Sequence, residues 1–176
     1  MNKVFIATSL DGYIADTQGG IDWLHAIPNP ENIDMGYGTF MHGIDALLMG
    51  RNTFETVCGF DMPWPYEKPV FVMSNSMSAI PDQYREYATL VKGSLTDILR
   101  LIHELGHRNL YIDGGKTIQS FLKEDLIDEM IITTIPYLLG EGISLFGPLT
   151  QRLSFKCVGS TIYLNSIVQN RFVRDR

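Results

Sequence analysis

The sequence predicts an α/β domain with a mainly parallel central sheet, helices on both faces and an antiparallel edge at its C-terminal end. Three observations carry this. Continuous apolar runs alternate with amphipathic stretches up to residue 135, as strands buried on both faces and their crossover helices do. Beyond that point strand-like runs follow one another without a helix. Two of the apolar runs, Asp45–Met49 and Asn109–Ile112, open through glycine into helix starts.

Composition sets the bounds. A chain of 176 residues suits one domain, taken as 1–176, and 45% hydrophobic content is ample for its core. Net charge is −6 and no basic cluster occurs, which argues against nucleic acid and anionic membranes as partners. Cys58 and Cys157 have no framework spacing and read as free thiols. The N-terminal apolar run is too short for a signal peptide and is broken by Asp11, so the expected location is the cytoplasm.

In chain order, Lys3–Thr8 is a buried strand, and Asp11-Gly12 turns the chain. Residues 13–32 are rich in glycine and proline and read as a long functional loop around Trp23. Asn32–His42 has helical spacing, weakened by Gly36 and Gly38 and ended by Gly43. The strand Asp45–Met49 leads to a helix from Thr53, and three prolines make 59–69 a loop. Strands follow at Pro69–Met73 and Thr89–Lys92. Leu95–Leu105 is an amphipathic helix closed by Gly106. After Asn109–Ile112 comes a helix from Thr117, then a strand over Leu126–Ile135 stopped by Pro136. Lys156–Ser160 and Tyr163–Val173 form the closing antiparallel pair.

The two glycine turns are Gly50-Arg51-Asn52-Thr53 and Asp113-Gly114-Gly115-Lys116-Thr117. Glycine lets backbone approach a ligand, and a helix N-terminus favours a phosphate. In an open α/β sheet both lie at the ligand-binding edge. Arg51 offers a guanidinium, Thr53 a hydroxyl, and Ser74 and Asn75 neutral donors. An ordinary strand-to-helix turn has the same sequence. No P-loop is present, because its first glycine would fall at Leu110, and no Gly-x-Gly-x-x-Gly occurs. Asp34 is an acid on an otherwise apolar helix, suited either to proton transfer or to a solvated first turn. His103-Glu104-Leu105-Gly106-His107 matches the zinc-peptidase pattern in letters, but Gly106 places His107 past the helix end.

Five segments resemble one family when taken together: Ser9–Ala15, Gly20–Leu24, Leu47–Glu55, Ile112–Gly115 and Pro136–Phe146. The chain resembles the dihydrofolate reductase-like fold, a three-layer α/β architecture, and within it the C-terminal reductase domain of the bifunctional riboflavin-biosynthesis protein. The resemblance implies an NADPH-dependent reductase acting on a small heterocyclic substrate. It assigns Gly50, Arg51, Asn52 and Thr53 to one end of the cofactor, with Arg51 near the 2′-phosphate. Gly114, Gly115, Lys116 and Thr117 take the pyrophosphate, and Ser74 and Asn75 the adenosine side. Ala7, Thr8 and Ile14 wall the nicotinamide pocket. A cis peptide is implied at Gly114–Gly115. Asp34 matches the acid of dihydrofolate reductases and Thr133 the threonine that supports it, with Trp23 and Tyr37 in the substrate pocket. Gly38 stands where those enzymes carry an aromatic, which counts against folate. The riboflavin-type deaminase motifs are missing, and a homodimer is expected by resemblance. Other classes stay open: a non-catalytic NADPH-binding module, and a zinc hydrolase through His103, Glu104 and His107.

Overall fold

The computed structural model describes residues 1–176. The strands are β1 (Asn2–Ser9), β2 (Tyr13–Ala15), β3 (Ala46–Gly50), β4 (Val70–Met73), β5 (Ala88–Val91), β6 (Leu110–Asp113), β7 (Glu129–Ile135), β8 (Ile143–Ser144), β9 (Phe155–Tyr163) and β10 (Ile167–Arg174). The helices are α1 (Tyr37–His42), α2 (Arg51–Cys58), α3 (Leu95–Glu104) and α4 (Gly115–Lys123). Eight strands make one sheet in the order β5-β4-β3-β6-β1-β7-β10-β9, and β2 pairs with β8 separately. Pairing is parallel from β5 to β7 and antiparallel at β7–β10 and β10–β9. The predicted architecture, including the antiparallel C-terminal edge, is the one observed.

Alternation along β3 explains the three layers. Ala46 and Leu48 join a core with Ile98, Ile102, Ile118 and Phe121 from α3 and α4. Leu47 and Met49 join the opposite core, with Phe40 of α1 and Phe54 of α2. A strand buried on both faces needs apolar residues at every position, which is why this run does not alternate in polarity.

Several boundaries differ from the prediction. The helix expected from Asn32 begins at Tyr37, because Asn32 and Met35 take left-handed angles (φ 49° and 52°) and Gly36 follows at 85°. Helices α2 and α4 begin at Arg51 and Gly115, ahead of the expected Thr53 and Thr117. Gly50 and Gly114 already supply the non-helical cap geometry. Every peptide bond is trans, so the cis bond implied at Gly114–Gly115 is absent, and Gly114 makes the turn through its φ of 90°. β7 starts at Glu129 rather than Leu126, since the Leu126 carbonyl accepts from the Asn2 side chain. Tyr163–Val173 is not one strand: Leu164 and Asn165 both have positive φ and form the hairpin turn between β9 and β10. The loop at 13–32 is more ordered than predicted, with β2 and a short 3-10 turn at Asp22–His25 carrying Trp23. No helix is long and apolar enough to cross a membrane.

Candidate active site

The parallel strands end at one edge of the sheet, and the two glycine turns lie side by side there because Met49 pairs with Asp113. They interlock. A Cβ on Gly50 would stand 2.9 Å from Thr117 Oγ1, and one on Gly114 2.2 Å from Thr53 Oγ1. Each turn therefore needs glycine so that the other helix's threonine can pack against its backbone. Neither α2 nor α4 has a side-chain cap, whereas α3 is capped by Ser94 accepting from the Asp97 N–H. The open N–H groups and positive dipole ends of two helices thus converge on one place.

The other predicted cofactor residues are differently placed. Arg51 is exposed and its Nε donates to Glu55 Oε1 at 2.7 Å, so its charge is shared along the helix. Asn52 and Lys116 are exposed, and Thr117 is buried. Ser74 Oγ accepts from Met77 N, and Asn75 Oδ1 accepts from Gly93 N, so both hold the loop after β4. β4 and β1 are three strand spacings apart, roughly 14 Å, a span suited to an extended dinucleotide.

The sheet itself opens beside these turns. β1 pairs with β6 only at Asn2–Leu110 and Lys3–Tyr111, while its ladder with β7 runs on to Ser9–Ile135. The Phe5 carbonyl, left without a strand partner on that side, accepts the Tyr111 hydroxyl at 2.8 Å. Ala7 and Thr8 lie beyond that point. Ile14 faces the α4 end, where a Cβ on Gly115 would stand 2.6 Å from its Cδ1. Above the opening, two distant segments join: Leu10 N donates to Tyr137 O, and Asp11 accepts from Leu139 N and Gly140 N. These belong to two of the segments that carried the family resemblance.

Two acids differ sharply. Asp34, expected on the helix, instead precedes it and is exposed. Its carboxylate oxygens accept from Gly36 N and Gly38 N at 2.9 Å each, and these bonds lower its pKa. Asp34 therefore caps α1 as an anion at neutral pH. Asp113 is the reverse. Burial raises its pKa to about 6, against the N–H of Gly114 and the Tyr111 hydroxyl, which lower it. Tyr37, Tyr66 and Tyr111 are near enough for its charge to raise their own pKa values, with burial the larger cause in each; Tyr37 is pushed up to about 12. Strand alternation puts Asp113 on the Tyr111 face, the α1–α2 side.

Thr133 lies in a cross-strand row with Ala7 and Gln169. Gln169 Nε2 donates to Thr133 Oγ1 at 2.9 Å and to the Met35 carbonyl at 3.0 Å, so Thr133 is linked to the Asp34 segment through Gln169. The Trp23 indole N–H is buried without a partner. Sequence reasoning gave no role to Asp113, Tyr66, Tyr111 or Gln169. The available signal was an acid closing an apolar, doubly buried strand; Tyr66 and Gln169 carried none.

Two open surface clefts, about 710 and 440 Å³, are lined by Gly147 with Leu149–Leu153 and by the exposed side of α3. Neither includes a residue of this site. His103 is on α3 beside the second, while His107 follows Gly106 (φ 93°) and packs on Phe71, so the histidines share no helix. No three His, Cys, Asp or Glu side chains are arranged to hold a metal.

YwjB of Bacillus subtilis (strain 168), an uncharacterized protein, is 39% identical over 97% of this chain and 96% of its own. A crystal structure from Shewanella sp. PV-4, assigned provisionally to riboflavin biosynthesis, is 55% identical and superposes with a TM-score of 0.97 over 99% of both chains. At the level of fold alone, the Thermotoga maritima bifunctional deaminase/uracil reductase matches at TM-score 0.76 and 16% identity, with 99% of this chain covering 56% of that one. The dihydrofolate reductase of Enterococcus faecalis, solved with NADP(H), matches at 0.66 and 16% over 100% and 97%. The RibD C-terminal domain matches residues 3–169, and the chain belongs to that family, with the dihydrofolate reductase-like fold.

Proposed function

We propose that the protein is an NADPH-dependent reductase that adds a hydride and a proton across a C=N or C=O bond of a small heterocycle. The observation carrying this reading is the interlocked pair of glycine turns, with two uncapped helix N-termini beside a split in the sheet. Gly50–Thr53 and Gly114–Thr117 would hold the cofactor phosphates, with Arg51 reaching the 2′-phosphate and Ser74–Asn75 the adenosine side. Ala7, Thr8 and Ile14 would border the nicotinamide. NADPH, when bound, supplies the hydride to the acceptor carbon. Asp113 gives its proton to the acceptor nitrogen or oxygen and regains one from water; a pKa raised to about 6 suits a carboxyl to that work. Asp34, a residue the resemblance made the proton donor, acts here as a positioning group that sets α1. Thr133 and Gln169 fix the pocket floor, and Tyr37 and Trp23 its walls.

Calorimetric titration with NADP⁺ tests the foundation. Binding in the micromolar range, lost on Gly114→Ala, is expected, and a thermally intact protein that takes up no NADP⁺ or NADPH ends the proposal. We further propose a homodimer through β9, a nine-residue edge strand exposing Val158 and Ile162 (54% and 67%). A free strand edge of that length is a ready partner for a second copy. Sedimentation that gives only monomer at tens of micromolar counts against it.

A further inference from the structure

The sheet edge that carries the site is divided by charge. The chain has 14 Lys and Arg residues, yet none lies in 4–50, 124–151 or 157–170. These segments supply β1, the loop to α1, β7, the flap at 136–146 and the first half of β10, which is everything around Ala7, Thr133 and Gln169. Five cations lie at the far edge of the sheet. Lys3 begins β1, Lys68 precedes β4 and Arg108 precedes β6, all at the opposite edge. Arg171 and Arg174 are engaged by Glu129 and Asp125 at that same far edge, because β10 runs antiparallel. Only Arg51, Lys92 and Lys116 stand at the ends of strands where the site lies, and each follows β3, β5 or β6, on the cofactor side.

The acceptor half holds the opposite character. Asp113 closes β6 at the boundary between the two halves, its side chain on the α1–α2 face that Ala7 and Thr133 share; Tyr37, Tyr66 and Tyr111 lie near enough to feel its charge, and Tyr66 packs on Trp64 at 5.5 Å. Tyr37 stands edge-on to Phe5 at 5.5 Å. Aromatic walls favour flat rings, and a carboxyl favours hydrogen-bond donors and cations over anions. A phosphate or carboxylate placed beside Ala7, Thr133 and Gln169 would lose its hydration and meet no lysine or arginine from the segments that line that space.

We propose that the acceptor is an unphosphorylated planar heterocycle, uncharged or cationic, that presents an N–H or basic nitrogen to Asp113. This rests on the reductase reading and narrows it, setting the protein apart from any relative whose acceptor carries a sugar phosphate.

The test uses the full chain saturated with NADP⁺, whose binding is measured first; its failure condemns the reductase reading and not this step. Riboflavin and FMN then serve as a matched pair differing by one phosphate, with proflavine as a planar cation, each read by fluorescence. Riboflavin is expected to bind at least tenfold more tightly than FMN, and proflavine to weaken at least tenfold in Asp113→Asn while riboflavin changes less than threefold. FMN binding as tightly as riboflavin overturns the proposal. So does NADP⁺-loaded protein that takes neither flavin nor proflavine.

Discussion

Asp113→Asn is the most informative single change, because it is expected to stabilise the protein while disabling it. The wild-type carboxyl has its pKa raised from 3.8 to about 6, chiefly by burial. Between about pH 4 and pH 6 the folded protein keeps a proton that the unfolded chain has released, so stability falls as pH rises through that window and levels off above it. At 1.36 kcal/mol per pH unit the full cost approaches about 3 kcal/mol. Water reaches part of the half-buried residue, so about 1–2 kcal/mol is the expected gain. Asparagine is isosteric, cannot ionise, and keeps the acceptor for the Gly114 N–H. For a domain of this size, that gain corresponds to a melting temperature about 3–8 °C higher at pH 7.5, and no difference at pH 4. Thermal melts of cofactor-free protein at pH 4, 5.5 and 7.5 measure it. A variant that is less stable at pH 7.5, or whose advantage is the same at all three values, would show that burial does not raise the Asp113 pKa.

Three further changes probe other parts of the site and fold. Gly114→Ala is expected to cost about 2–4 kcal/mol, from a Cβ 2.2 Å from Thr53 Oγ1 and a φ of 90°; adding Thr53→Ala should recover part of this in urea denaturation, and no recovery would break the interlock. Glu55→Gln frees the Arg51 guanidinium and should tighten NADPH severalfold while leaving NADH unchanged, by calorimetry; an equal gain for both removes Arg51 from the 2′-phosphate. Arg171→Met leaves the buried Glu129 carboxylate without its bidentate partner, bonded now at 2.7 and 3.1 Å, and should lower stability by about 2 kcal/mol in urea; a neutral result would mean that Lys3, at 4.0 Å, suffices.

The parts of the fold legible in the sequence were those written as local pattern. β3, β4 and β6 are unbroken apolar runs, and the Gly50 and Gly114 turns announce their strand ends. What the pattern missed depended on contacts between distant residues. The helix expected from Asn32 failed because the Asp34 carboxylate binds backbone N–H groups at 36 and 38, an alternative that local helical spacing does not reveal. Asp34 matched a family position, and position carries no information about exposure. Asp113 stood in the most conspicuous stretch of the chain, yet its state depends on burial in the finished fold, which no local pattern reveals. Gln169 is one polar residue in an edge-like strand, and nothing local distinguishes it from a solvated one.

The two hydrogen bonds made by Gln169 tie together distant parts of the chain. The paired glycine turns are built from residues 46–117. The row of Ala7 and Thr133 is completed by β10, whose Gln169 joins Thr133 to Met35. The two parts of this sheet edge thus come from separate stretches of the chain, the turns from its middle and the last member of the Ala7–Thr133 row from its final hairpin. The final strand is thereby the tie between β7 and the segment ahead of α1, joining Thr133 to Met35 across 98 positions of sequence.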